Sequence, residues 1–153
     1  MGTGDNSLFS SPGDRGPEAV SLRLAATVRK LAEEGFTDFL CGMAEGFDLL
    51  AGGAVLSLRP EFPQLRLIAV IPFPGQAAGF GAEVRETYGR VLAGADERVT
   101  VCPAYSADCF HRRNDYLVGN SSVLVCYYNG SKGGTQYTVK QALRNGLRVI
   151  NII

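Results

Sequence analysis

Apolar residues recur along this chain in two alternating rhythms, one helical and one of short continuous runs. PEAVSLRLAATVRKLAEEG puts Val20, Leu24, Val28 and Leu31 on one face at helical spacing. Pro17 suits a first helical turn, and Gly35 a C-terminal stop. The apolar run at residues 36–41 predicts a short buried strand, and GMAEG a glycine-bounded turn. FDLLAGGAVLSL predicts a second helix ended by Pro60; its Gly52 and Gly53 cost helix stability, which predicts close packing against a sheet. Residues 65–73, LRLIAVIPF, are the clearest strand, with a continuous run suited to a parallel strand buried on both faces. PGQAAGFG reads as a loop. AEVRETYGRVLAGA reads as a third helix with Val84, Tyr88, Val91 and Leu92 on one side, and RVTVC as a strand. Residues 110–119 predict a short helix, SSVLVCYY a buried strand, NGSKGGT a glycine-rich loop, TQYTVKQALRNG a helix stopped by Gly146, and LRVINII a last strand.

Strands alternating with helices imply a parallel sheet covered on both faces. The expected fold class is therefore α/β: one Rossmann-like, three-layer domain over residues 1–153, with a mainly parallel, doubly wound sheet. Residues 67–71, 124–126 and 149–150 are expected to be buried strand. The first sixteen residues read as irregular. A doubly wound sheet needs a central first strand, and only the neighbourhood of Leu8 and Phe9 can supply one.

Composition narrows the function classes. The chain has 153 residues, the size of one domain, and 46% of them are hydrophobic, enough for a real core. Fifteen basic and fifteen acidic side chains cancel, which disfavours nucleic acid as a main partner. No run of roughly 18 apolar residues exists to span a membrane, and the N-terminus lacks the pattern of a signal peptide. The expected location is cytoplasmic, with Cys41, Cys102, Cys109 and Cys126 as reduced, mostly buried thiols. With His111 the only histidine and no clustered thiols, no metal site is expected.

Ligands of open parallel sheets bind at the carboxyl ends of the strands. Three loops there carry unusual residues. In the first, Gly42, Met43, Ala44, Glu45 and Gly46 precede Asp48, and the two glycines bracket a turn that can aim backbone N–H groups at an anion. In the second, residues 129–135, Gly130, Gly133 and Gly134 permit close backbone approach, and Lys132 and Thr135 add donors. It is not a P-loop, since no Gly-Lys-Ser/Thr run is present. The third holds the adjacent Arg112 and Arg113, followed by Asn114, which can neutralise a phosphate or form a solvated charge cluster. His111 has no Ser, Cys or Asp partner at motif spacing, so no catalytic triad is assigned.

Taken together, CGMAEGFDLLA, LIAVIPFPGQ, the Arg-Glu-Thr-Tyr of the third helix, RRNDYLVGNSSVLVCYYNG and KGGTQYTVKQALRNG resemble the YpsA-like family of the SLOG superfamily. That superfamily also holds the Lonely Guy phosphoribohydrolases and the DprA (Smf) proteins. The matching segments run from residue 36 to residue 153. The resemblance implies a Rossmann-like fold with a site for a nucleotide or nucleotide-derived ligand, and a homodimer. Gly42 and Gly46 then match the first glycine turn, Asp48 the acidic residue beyond it, and Gln76 the polar residue after the Pro-Phe strand end. Arg113 and Asn114 match the Arg-Asn pair, and Gly133, Gly134 and Thr135 the phosphate-cradling Gly-Gly-Thr.

Two features depart from the pattern. The Lonely Guy hydrolases carry a glutamate three residues after that threonine, where this chain has Thr138. A carboxylate is the expected partner for N-glycosidic cleavage, so its absence argues against hydrolysis unless Glu45 or Asp48 substitutes. A glutamate at position 138 is expected to be tolerated, because the position lies in a predicted helix. YpsA-like proteins also open with an apolar strand ending in Thr-Gly-His-Arg. Here either Leu8, Phe9 and Ser10 with Arg15 are a degraded version, or Thr3 and Gly4 are its remnant and the strand upstream is missing. The leading expectation is a sensor or carrier of a nucleotide-like small molecule, with no cofactor required beyond that ligand. The alternatives are a nucleoside-monophosphate phosphoribohydrolase, for which Arg113, Glu45 and Asp48 are the catalytic candidates, and a DprA-like binder of single-stranded DNA. The absence of Trp and of net charge argues against the last.

Overall fold

In the computed structural model, which describes residues 16–153, the helical apolar face becomes the buried side of α1 (Pro17–Glu33). Val20, Leu24, Val28 and Leu31 all point into the core. The helix ends where its glycine predicted: Gly35 has a left-handed φ of 101°, its N–H bonds to Ala32 O, and the N–H of Phe36 bonds to Leu31 O. The expected first strand around Leu8 and Phe9 lies outside the described residues.

Ten further elements follow. They are β1 (Asp38–Cys41), α2 (Phe47–Leu58), β2 (Arg66–Ile71), a 3₁₀ turn (Gln76–Gly79), α3 (Ala82–Gly94), β3 (Glu97–Thr100), α4 (Cys109–Gly119), β4 (Val123–Cys126), α5 (Gly134–Arg144) and β5 (Arg148–Asn151). Among the described residues every strand pair is parallel. β2 lies between β1 and β3, with Leu67 opposite Phe39 and Val70 opposite Val99, and β4 pairs with β5. The domain is a Rossmann-like α/β arrangement with helices on both faces. Leu67, Ala69 and Ile71 face the core built with α1 and α2, whereas Ile68 and Val70 face Leu117 of α4. β4 alternates likewise: Val125 joins the α1–α2 side, and Leu124 and Cys126 join Val139 and Ala142 of α5. All four cysteines are free and buried. No described helix is long and apolar enough to cross a membrane.

Four expectations change. The single predicted sheet is present, among the described residues, as two ladders that share one core, and residues of β1 and β4 line a common cleft of about 370 Å³. Residues 67–71 and 124–126 are buried as expected, but Val149 and Ile150 are only partly so: among the described residues β5 has a strand neighbour on one side, and Val149 and Ile150 pack at the margins of the two cores whose interior holds Leu124, Val125 and Cys126. Gly52 makes its closest approach to α3 rather than to the sheet. A Cβ there would lie 2.8 Å from Val91 Cγ1 and 3.4 Å from Cys41 Sγ, while one on Gly53 would meet nothing. The loop at residues 74–81 contains the 3₁₀ turn, which turns Gln76 inward.

Candidate functional site

Parallel strands bring the loops after β1, β2 and β4 to one edge. The turn after β1 is closely packed. A Cβ on Gly42 would lie 2.7 Å from Asp48 Oδ2 and 3.2 Å from Arg113 Cδ, so only glycine fits. Met43, fully buried, is the one non-glycine residue with positive φ among those described, at 60°. Asp48, in the first turn of α2, accepts a 3.3 Å hydrogen bond from the N–H of Ala44 through Oδ2, while Oδ1 is buried without a hydrogen-bond partner among the described residues. Burial pushes its carboxyl up to about 6, against the pull of the Arg113 charge.

Arg113 arrives from α4 and is 3% exposed. Nη1 donates to Gly42 O at 2.9 Å, Nε donates to Asn114 Oδ1 at 3.0 Å, and the guanidinium lies over the Phe110 ring, 5.6 Å from its centroid. Arg113 is therefore a buried brace between α4 and the first glycine turn, as well as a wall of the cavity described below. Arg112, its neighbour, is exposed.

The loop after β4 is held from β5. Asn151 accepts from the N–H of Tyr128 through Oδ1 at 3.0 Å and donates from Nδ2 to Tyr128 O at 2.8 Å, so a side chain extends the ladder by one step. Asn129 Oδ1 accepts from the N–H of Ser131, closing a tight turn. Gly133 then precedes α5 with φ 145° and ψ −163°, a conformation essentially restricted to glycine, and no side chain caps the helix. The first turn of α5 thus has no side-chain cap, and its N–H groups lie at the positive end of the helix dipole. At the rim, His111 stacks on Tyr137 at 4.3 Å, and the Tyr137 hydroxyl donates to Asp115 Oδ1 at 2.7 Å, tying α4 to α5.

A cavity of about 570 Å³ opens between these loops, within the range of small-molecule sites. Of the sequence-predicted residues, Ala44, Glu45, Gln76, Arg113, Asn114, Gly133, Gly134 and Thr135 line it. Gly42, Met43 and Asp48 lie beneath that surface, Gly46 faces a second groove between α2 and α3, and Gly130 does not reach the cavity. Asn129, Ser131 and Lys132 of the predicted glycine-rich loop line it too, whereas sequence reasoning missed Phe80, Phe110, Tyr127 and Tyr128. Two lining side chains carry buried polar atoms with no hydrogen-bond partner among the described residues: Gln76 Oε1 and the Tyr127 hydroxyl. Glu45 is the one carboxylate on the wall among the described residues, whereas Thr138 is fully buried, does not line the cavity, and donates to Gly134 O. Among the described residues no three His, Cys, Asp or Glu side chains cluster as metal ligands do.

Comparison with known proteins agrees with this architecture. The family model described as YspA SLOG family matches residues 9–149. A UPF0398 protein of Bacillus velezensis is 30% identical over 128 residues, which cover 82% of this chain and 68% of that protein. UPF0398 proteins of Bacillus thuringiensis and Bacillus cereus are 27% identical over 134 residues, covering 86% of this chain and 73% of theirs.

Proposed function

From the premise that the chain belongs to the YspA SLOG family, we propose that it binds a phosphate-bearing, nucleotide-like small molecule and acts as a sensor or carrier of it. One observation carries this reading. The glycine-led N-terminus of α5 opens into the same cavity as two buried, unpartnered polar groups, Gln76 Oε1 and the Tyr127 hydroxyl. Buried polar groups are nearly always paired, so orphans on a cavity wall are a demand for a ligand that pairs them. A phosphate at residues 133–135 supplies the charge that the helix dipole favours, and the rest of the ligand supplies the missing partners.

Hydrolysis of the glycosidic bond is the second reading, and Glu45 on the wall is what favours it. Thr138 weighs against it twice, since it is not a carboxylate and it is buried without lining the cavity.

A thermal-shift screen with nucleoside phosphates, NAD and ADP-ribose, paired with an assay for released base, separates the readings. At a hundredfold excess over Kd a ligand adds about 2.7 kcal/mol, which for a domain of this size raises Tm by roughly 5–10 °C. The expected result is a saturable shift with no base released. Absence of a shift with every nucleotide would overturn the binding reading, and brisk release of base would replace it with the hydrolase.

A further inference from the structure

We infer that the cavity end formed by Gln76, Phe80 and Phe110 reads the base of a nucleoside phosphate, with Gln76 as the residue that sets specificity. The inference rests on the nucleotide reading above and adds to it an orientation and a specificity determinant.

Topology separates the two ends. Gln76 follows β2, the glycine loop follows β4, and β1 with the inter-ladder cleft lies between them. Neighbouring strands lie about 4.8 Å apart, so the two ends sit roughly 10 Å or more from each other along the sheet edge. Their chemistry differs as well. The α5 end offers N–H donors to an anion. The Gln76 end offers an acceptor: Gln76 is 7% exposed, lines the cavity, and keeps Oε1 buried and unpartnered. An ionised phosphate has only acceptors, so it cannot satisfy that oxygen. An N–H or O–H donor must.

The walls select among donors. Phe80 and Phe110 both line the cavity. Each ring is held edge-on by another aromatic residue, Phe80 by Tyr88 at 5.8 Å and Phe110 by Phe73 at 6.0 Å, so both present set surfaces. Aromatic walls favour a planar ring, which can stack, over a bare sugar hydroxyl. A planar ring with an N–H donor on its edge, joined to a phosphate, is a nucleotide with its base at Gln76.

The test titrates the four ribonucleoside 5′-monophosphates and ribose 5-phosphate calorimetrically into the wild-type chain, Gln76→Met and Phe110→Leu. At least one nucleotide is expected to bind more tightly than ribose 5-phosphate. Gln76→Met should cut that advantage about 3- to 10-fold, and Phe110→Leu about fivefold or more, while ribose 5-phosphate affinity stays level. Unliganded Gln76→Met should melt no lower than wild type, since it removes an unpaired buried acceptor. Phe110 is 40% exposed, so Phe110→Leu keeps the test open if Gln76→Met folds poorly. The inference is overturned if ribose 5-phosphate binds as tightly as every nucleotide, or if both variants keep the nucleotide advantage. If neither the nucleotides nor ribose 5-phosphate bind at all, the underlying nucleotide reading fails with it.

Discussion

Arg113 Nη1 donates a 2.9 Å hydrogen bond to the carbonyl of Gly42, joining α4 to the first glycine turn across 71 positions of sequence. The missing Cβ of Gly42 makes room for this meeting, with Asp48 Oδ2 on one side and Arg113 Cδ on the other. Nε and one N–H of Nη1 are thus spent inside the protein, on Asn114 Oδ1 and Gly42 O. Its charge still sits at the cavity wall.

Arg113→Ala should therefore be a stability variant first. It strands Gly42 O and removes buried packing, at a cost of about 2–4 kcal/mol. For a domain of this size that is a fall in Tm of roughly 5–15 °C by calorimetry. An unchanged Tm would show that the buried hydrogen bonds do not hold the turn.

Asp48 gives the fold a defined pH signature. Its carboxyl rises from 3.8 to about 6 because burial opposes ionisation more than the Arg113 charge favours it. A raised carboxyl pKa contributes stability that is fully present below the unfolded value and is lost as pH climbs through the folded one. Asp48→Asn cannot titrate, so stability measured as mutant minus wild type should climb between pH 4 and pH 6.5, by roughly 3 kcal/mol at most. A flat difference across that window in denaturant titrations would mean that Asp48 is not desolvated.

The elements were legible where local pattern and tertiary demand coincide. α1 has one apolar face, and Gly35 ends it in the left-handed conformation that glycine tolerates. The apolar run at β2 reads directly as a strand covered on both sides. Contacts set by helix crossings were not legible. Helical Gly52 announces a close neighbour without saying that it is Val91 of α3. Arg113 announces a charge, but its partner is a carbonyl that only the α4 crossing supplies. Tyr127 was hidden among apolar strand residues; its one signal was a hydroxyl at the carboxyl end of a buried strand, where ligands of this fold sit.

Position 138 reverses an expectation drawn from helix propensity alone. Thr138 is fully buried and its hydroxyl bonds back to Gly134 O, so a glutamate there would place a carboxylate in the core under α5. Thr138→Glu should unfold or severely destabilise the chain, because an unpaired buried charge is among the costliest substitutions. Thr138→Val keeps shape and loses one local hydrogen bond, so it should shift stability by about 1 kcal/mol or less. Chemical denaturation of both variants checks the contrast. A well-folded Thr138→Glu would mean that the side chain reaches solvent or the cavity.

Gly133 tests the anion site with the least disturbance to the core. At φ 145° and ψ −163° its backbone lies in a region that side chains avoid, at a cost of about 1–3 kcal/mol. An added Cβ would meet nothing within 4 Å, so Gly133→Ala acts through backbone conformation and not through collision. The loop is exposed and can relax toward ordinary angles, which should leave Tm nearly unchanged. Relaxation re-aims the first N–H groups of α5, and these are the donors proposed to hold phosphate. Nucleoside-monophosphate affinity should therefore fall about 5- to 100-fold, since each 1.4 kcal/mol is tenfold. Ribose 5-phosphate should lose the same factor, because it shares the phosphate and lacks only the base. Equal affinity of Gly133→Ala and wild type for both ligands would move the phosphate away from α5.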